Sequence, residues 1–495
     1  MQSKWHIFTN HLQMPLNKYM SHYDTAAKDR IPFGEKAAYG TGTLVLNLLP
    51  AALGIFAFFL ITAFGVDPIL AGLLGGLPRL FDAITDPIMG FITDNTKSRW
   101  GRRRPYIVVG AILSGTCFAL LWQLDPANSQ NYTFWYILLF SMAFTIGNTM
   151  FATPFVGLGY EMTSDYKERT RLMAASQFMG QIAWMIVPWF WVMIADPDLF
   201  DSQAQGVRHL AIYVSGACII LGIVPGLFCK GIDSSHIDNR AEISLSTLSS
   251  NVMGIFRSIG QAFKNAAFVR LCGATFFVFN GFQLVASFSY FIIVFHMFDG
   301  DYGATGSWPA WFSTVSAFVT AFLVIPIVSW MANKWGKRKA FIISTVLSIF
   351  GYALKWYGFD PENPWLIFMP IPLMSFGIGG LFTLMLSMTA DVCDLDELNN
   401  GMPRKEGTFA AIYWLMVKLG QALALILSGV VLKVVGFDAG VTTQTVETMT
   451  NLRIADIIIP ASTAALAILM MWNYDITEEK AHQIKEKLIE RRGDI

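Results

Sequence analysis

Apolar runs long enough to cross a bilayer recur twelve times along this chain, centred near residues 52, 82, 115, 147, 183, 219, 281, 321, 349, 378, 420 and 463. A helix rises about 1.5 Å per residue and a bilayer core is about 30 Å thick, so roughly 20 residues of each run suffice to span it. With 54% hydrophobic and 14% charged residues over 495 positions, the chain has the balance of a polytopic membrane protein. The predicted fold class is therefore an all-α membrane protein with twelve transmembrane helices in two six-helix bundles.

The formal net charge is +0, which offers no argument for a nucleic-acid partner. Where the charges sit is more informative. The loops at 94–104, 161–171, 230–270, 334–339 and 399–405 hold nearly all the loop Lys and Arg. The positive-inside rule then places these loops and both termini in the cytoplasm. Arg208 and Arg453 fall at the outer ends of helices, and Lys355 and Lys433 are expected to snorkel there. The first 36 residues are polar and lack the apolar core of a secretory signal, so the expectation is that they are retained. Five cysteines, Cys117, Cys218, Cys229, Cys272 and Cys393, lie in or beside apolar runs without metal-site spacing and read as small core residues.

An internal repeat divides the chain. Arg99-Trp100-Gly101-Arg102-Arg103-Arg104 after the second helix is echoed by Lys334-Trp335-Gly336-Lys337-Arg338-Lys339 after the eighth, and the longest internal connection lies between helices six and seven. The expected organisation is a cytoplasmic segment over 1–36, a bundle over 37–230, a cytoplasmic linker over 231–265, a second bundle over 266–474 and a cytoplasmic tail over 475–495. Two such halves with a site between them near the midplane suit alternating access. The tail segment 477–492 reads as an amphipathic helix with Ile484, Leu488 and Ile489 on one side.

The second helix carries the most unusual chemistry. Arg79, Asp82 and Asp86 lie inside its apolar run, where an isolated charge costs about 2.5 to 3.5 kcal/mol. Spaced i, i+3 and i+7, they share one helical face. One arginine does not balance two carboxylates, so a mobile Na⁺ or H⁺ is the natural third partner; the alternative is a structural salt bridge. At the inner end of the same helix Asp94 precedes Arg99, Arg102, Arg103 and Arg104, and Asp391, Asp394 and Arg404 form a similar set after helix ten. These sets read either as topology determinants or as an ion-pair latch that forms in one conformation and breaks in the other.

The stretch from Arg79 through Asp82, Asp86 and Gly90 to Asp94 and Arg99-Trp100-Gly101 resembles the glycoside-pentoside-hexuronide:cation symporters. So do Tyr39-Gly40-x-Gly42, the segment from Pro154 to Glu161 with Arg169, the segment from Asp391 to Glu406, and Lys418. The resemblance implies cation-coupled uptake of a sugar or glycoside across the cell (inner) membrane of a bacterium by a chain that functions as a monomer. It implies a coupling cation, Na⁺ or H⁺, at Asp82 and Asp86 with Thr85 and Thr149 as oxygen ligands, and no other cofactor. Glu161 joins the gating set on the same ground. Where sugar-binding carboxylates would stand, this chain has Asn47 and Ala152, with Gln177 in place of an arginine, Val156 in place of one stacking tryptophan and Phe382 in place of another. The substrate-binding expectation is Asn47, Arg79, Gln177, Gln181, Asn280, Phe382, Trp414 and Lys418, with Gln283 and Trp184 nearby. Asn280 and Gln283 serve equally well as helix-to-helix hydrogen bonds. Loss of anionic ligands beside a retained Lys418 suits an acidic sugar such as a uronate, unless a helix-two aspartate absorbs the lysine's charge.

Two other classes stay open. Related sodium-dependent carriers move lysolipids, and a membrane enzyme or receptor is the different-class alternative. Against an enzyme stand the absence of a Walker loop, of His-Glu-x-x-His and of Gly-x-Ser-x-Gly.

Overall fold

The computed structural model describes residues 30–163, 166–231, 253, 254, 257, 259–400 and 406–492, and among them it contains helices and no strand. The first half is built from α1 (Phe33–Thr62), α2 (Pro68–Asn95), α3 (Arg104–Leu121), α4 (Gln130–Glu161), α5 (Tyr166–Ile186, extended by Trp189–Ala195) and α6 (Gln203–Phe228). The second half holds α7 (Ala266–Ile292), α8 (Trp308–Val319, continued through a π turn into Ile325–Trp335), α9 (Lys337–Gly358), α10 (Ile371–Asn400), α11 (Glu406–Val434) and α12 (Val446–Trp472). A further helix, α13 (Glu478–Arg492), follows them.

Eleven helices among the described residues are long and apolar enough to cross a membrane. The twelfth, α2, has the length but carries Arg79, Asp82, Asp86 and Asp94. Local chemistry marks the helix ends. Asp67 caps α2 by accepting from Ile69 N at 2.9 Å, with Pro68 at the first helical position, where its missing N–H costs nothing. Ser129, Asn265 and Thr445 cap α4, α7 and α12 in the same way. Pro188, which lacks an N–H, divides α5 from its extension.

Within the first half α1 packs on α5 and α6, and α4 on α2 and α3; within the second, α7 packs on α11 and α12, and α9 on α10 and α12. The repeated loop has a backbone reason. Gly101 and Gly336 both adopt positive φ, at 92° and 81°, so each copy of the Trp-Gly pair needs a residue without Cβ for its turn.

The halves meet along α2 and α11. A Cβ on Gly72 would stand 2.7 Å from the Leu425 carbonyl oxygen, and one on Gly76 would stand 2.8 Å from that of Ala422, so the two backbones touch. Further contacts cross between halves at the end opposite the basic loops. Phe58 stacks obliquely on Phe291 with centroids 4.7 Å apart, Trp191 Nε1 donates to Gly306 O at 3.1 Å, and Lys433 pairs with Asp67 at 2.6 Å. The halves are thus closed at that end.

Two expectations are amended. Lys355 does not snorkel: it is fully buried between α7, α9 and α12, paired with Asp456 and donating to Ser289 Oγ at 3.2 Å. Lys433 reaches not lipid headgroups but Asp67 of the other half. The first helix starts at Phe33, and its start is held to α5 by the buried Glu168, which accepts from Ile31 N at 3.0 Å and pairs with Lys36 at 2.5 Å. All five cysteines are buried and free. In α13, Ile484 and Leu488 are buried against the second bundle.

Candidate functional site

The carboxylates of α2 face α4 on one side and α11 on the other. Thr149 of α4 donates to Asp82 Oδ1 at 2.9 Å, and Thr85 Oγ1 lies 3.2 Å from Thr149 Oγ1. Thr153, one turn further along α4, donates to Asp86 Oδ1 at 3.4 Å. From the other half, Lys418 donates to both carboxylates, at 2.7 Å to Asp82 Oδ2 and also to Asp86 Oδ2. The structure therefore brings Asp82, Asp86, Thr85, Thr149 and Lys418 together and adds Thr153. Sequence reasoning passed over Thr153, although its i+4 spacing from Thr149 puts it on the same face of α4.

The two carboxylates differ. Asp82 is 9% exposed with both oxygens engaged, whereas Asp86 is 39% exposed and forms the side of the pair that faces open space. Five oxygen-bearing side chains, two carboxylates and three hydroxyls, form a hard-ligand set of the kind that could hold a monovalent cation, and an ammonium lies between the carboxylates. A cation held there would have to compete with Lys418 for the same oxygens. Arg79 makes no ion pair or side-chain hydrogen bond among the described residues, so the alternative of a structural salt bridge from Arg79 to Asp82 is not formed in this conformation. Formal charges on Arg79 and Lys418 against Asp82 and Asp86 sum to zero.

The other expected residues divide into three groups. Gln177, Gln181, Phe382 and Trp414 are exposed, with the Phe382 and Trp414 rings 6.4 Å apart. Asn47 is engaged: its Nδ2 donates to Thr43 O at 2.9 Å and its Oδ1 accepts from Trp184 Nε1 at 3.3 Å, so it positions an indole that is itself exposed. Asn280 is buried, and its amide donates to Gly420 O at 3.1 Å across α7 and α11, which ties helices together in place of a ligand.

The basic-end sets also form, within each half. Arg102 Nε donates to Glu161 Oε1 at 2.7 Å and Arg103 Nη2 to Asp94 Oδ1 at 3.0 Å, joining α2, α3 and α4. Arg104 donates to Gly226 O and Leu227 O, each at 2.6 Å, satisfying carbonyls at the end of α6. Its counterpart region repeats the device, since Lys337 pairs with Asp391 at 2.6 Å. Asp394 is half-buried on α10, Arg99 is exposed and has no ion pair among the described residues, and Arg404 and Arg169 fall where no side chain is described. In this conformation these described contacts brace each bundle internally. The ion pair that does cross between halves at a helix end is Asp67 with Lys433.

A test of that crossing pair follows from its geometry. Asp67→Asn and Lys433→Gln should each raise alkylation of a cysteine placed at Thr62, near the closed end, and raised salt should do the same in the unmodified pair. Labelling that ignores both the substitutions and the salt would show that the helix packing alone keeps this end shut.

A family model described as MFS/sugar transport protein matches residues 38–478. Among curated proteins the chain is 24% identical to the glucuronide carrier protein homolog of Escherichia coli, over 92% of this chain and 95% of that protein. It is 24% identical to the sodium-dependent lysophosphatidylcholine symporter 1-B of Danio rerio, over 98% of this chain and 95% of that one. Among solved structures, a bacterial homolog of the human lysosomal transporter Spinster superposes with a TM-score of 0.66 at 16% identity, over 90% of this chain and 98% of that one. With the helix order and the α2 motif, these matches place the chain in the major facilitator superfamily, among the MFS/sugar transport proteins and within them the glycoside-pentoside-hexuronide:cation symporters.

Proposed function

We propose that the protein takes up a glycoside together with Na⁺ or H⁺ by alternating access, with Asp82 and Asp86 as the cation ligands. The observation that carries this reading is the Lys418 ammonium shared by two α2 carboxylates across the seam between bundles. A cation entering past the more open Asp86 displaces Lys418, and an inter-bundle tie is exchanged for a bound ion. Loading the site thereby changes the balance between conformations, which is what coupling requires. Hydroxyls of Thr85, Thr149 and Thr153 complete an oxygen shell that favours Na⁺; a proton on Asp86 is the competing reading.

The sugar site in this reading is the space bordered by Gln177 and Gln181 from one half and Phe382 and Trp414 from the other, with Trp184 held by Asn47. Amides supply donors and acceptors to hydroxyls, and the exposed ring faces stack on a pyranose. Lys418 spends its charge on Asp82 and Asp86, so the case for an acidic sugar loses its main support, and a neutral glycoside becomes the better reading. By the positive-inside rule the basic end is cytoplasmic, and closure at the opposite end supports reading this conformation as inward-facing.

Proteoliposome uptake of a neutral glycoside, the uronate of the same ring configuration and a lysophospholipid, with Na⁺ and pH gradients imposed separately, tests this. The expected result is accumulation of the neutral glycoside under a Na⁺ gradient, with equal or weaker competition by the uronate. Preference for the uronate that narrows in Lys418→Gln would restore the acidic-sugar reading, and lysophospholipid uptake alone would replace the sugar by a lipid.

A further inference from the structure

We propose that Arg79 and Gln421 form a site for a small inorganic anion, chloride, that loads together with the coupling cation. This inference rests on the reading of Asp82 and Asp86 as cation ligands. The seam between α2 and α11 has its register fixed by close contacts on either side of the pair. A Cβ on Gly75 would stand 3.3 Å from Leu425 Cβ, and Lys418 Nζ lies 2.7 Å from Asp82 Oδ2. The two helices run antiparallel, so between those contacts Arg79 on α2 comes level with Gln421 on α11. Helical spacing keeps both on the seam: Arg79 follows Gly75 by four residues and precedes Asp82 by three, while Gln421 follows Lys418 by three and precedes Leu425 by four.

Neither side chain has a hydrogen-bond partner among the described residues. Asp82 acts on Arg79 only from beyond ion-pair distance, and the polar bonds of α11 at this level belong to Lys418. Both Arg79 and Gln421 are half-buried, and none of their polar atoms is sealed off, so each borders accessible space. A guanidinium carries five N–H donors and no acceptor, and it is more weakly hydrated than an ammonium. Together with the Gln421 amide N–H groups it makes a converging donor set in the middle of the membrane-spanning region, which an acceptor from outside the chain satisfies.

Charge decides that the acceptor is an anion. With no ion bound the cluster balances, Arg79 and Lys418 against Asp82 and Asp86. A cation on the carboxylates adds one positive charge in a low-dielectric interior, and it frees Lys418, which stands one helical turn from Gln421. A single anion between Arg79 and the released ammonium restores neutrality. Its size is limited from the outer side. A Cβ on Gly72 or Gly76 would stand 2.7 or 2.8 Å from a carbonyl oxygen of α11, so within about two turns of Arg79 the gap is shut. A halide suits such a narrowing gap better than a sugar carrying its own carboxylate.

The experiment measures binding of radiolabelled chloride to the full chain in lipid nanodiscs, without substrate or gradient, over a range of Na⁺ concentrations and at neutral and acid pH. The coupling ion, Na⁺ or a proton, should tighten chloride binding by at least about fivefold, and chloride in place of gluconate should tighten binding of that ion by the same factor, because coupling is reciprocal. Arg79→Gln and Gln421→Leu should each weaken chloride binding by about tenfold, the loss of a hydrogen bond to a charged group, with Arg79→Lys keeping part of it. Thermal melting checks that each variant folds, and Gln421→Leu keeps the test decisive if Arg79→Gln does not. Chloride binding indifferent to both cations, or unchanged in the folded variants, would overturn the site. Displacement of chloride by a uronate, but not by the neutral glycoside of the same ring configuration, would overturn the inorganic anion in favour of the substrate's own carboxylate. Failure here is distinct from failure of the transport reading: Na⁺-driven glycoside uptake that persists in gluconate removes the anion alone, whereas absent uptake leaves the chloride measurement standing.

Discussion

Asp82→Asn and Asp86→Asn are each expected to abolish cation-driven accumulation while retaining exchange of substrate across the membrane. The two carboxylates share one ammonium from the other bundle, and removing either charge leaves Lys418 matched one to one with the remaining carboxylate. The driving ion then has no carboxylate to claim without stripping the lysine of its only partner. The two variants should differ in side effects. Asp82 has both oxygens engaged, by Thr149 and by Lys418, so its amide substitute also breaks a buried network. Asp86 is the more open of the two, and its variant should stay as stable as the unmodified protein. Uptake driven by imposed Na⁺ and pH gradients, compared with counterflow at equal ion concentrations, reads the difference. Full concentrative uptake by both variants would remove the coupling role.

The second large effect lies away from the transport site. Lys355 and Asp456 are fully buried, joined to each other, with Lys355 also bonded to Ser289 and its ammonium 5.1 Å from the Phe359 ring centre. One Asp456 oxygen has no hydrogen-bond partner. Breaking a buried pair from one side strands a charge, at a cost of about 3 to 5 kcal/mol, whereas replacing both sides by apolar residues of similar volume is often neutral. Lys355→Met and Asp456→Leu should therefore each lower the thermal midpoint sharply in detergent, and the double variant should recover most of the loss. Additive losses would mean that packing volume, and not the stranded charge, sets the cost. Transport in the double variant would separate this pair from the coupling chemistry, since neither residue touches the α2 cluster.

Much of the candidate cation site was readable in order along the chain because helical periodicity is local. Asp82, Thr85 and Asp86 share a face of α2 by spacing alone, and an intramembrane lysine at 418 read either as a substrate ligand or as a partner for a helix-two aspartate. That the partner would be both aspartates at once, with Arg79 left without an ion pair, was not contained in any spacing. Lys418 and Asp86 are 332 positions apart, and Lys433 and Asp67 are 366 apart. Sequence reasoning therefore sent Lys355 and Lys433 to the membrane surface, where an amphipathic side chain with no known partner belongs. It also left the basic-end charges open between topology determinants and a latch, and their described contacts stay within each bundle.

By itself the sequence determined the number of spans, the repeat that pairs the two halves and the face on which the α2 charges gather. All of these follow from period, length and backbone conformation, which act over a few residues. Only the tertiary structure decided which charges neutralise each other, which polar side chains remain available to a ligand and which end of the molecule is closed. In a low-dielectric interior an ion's energy depends on the nearest countercharge in space, and neighbours in space here lie on helices hundreds of residues apart.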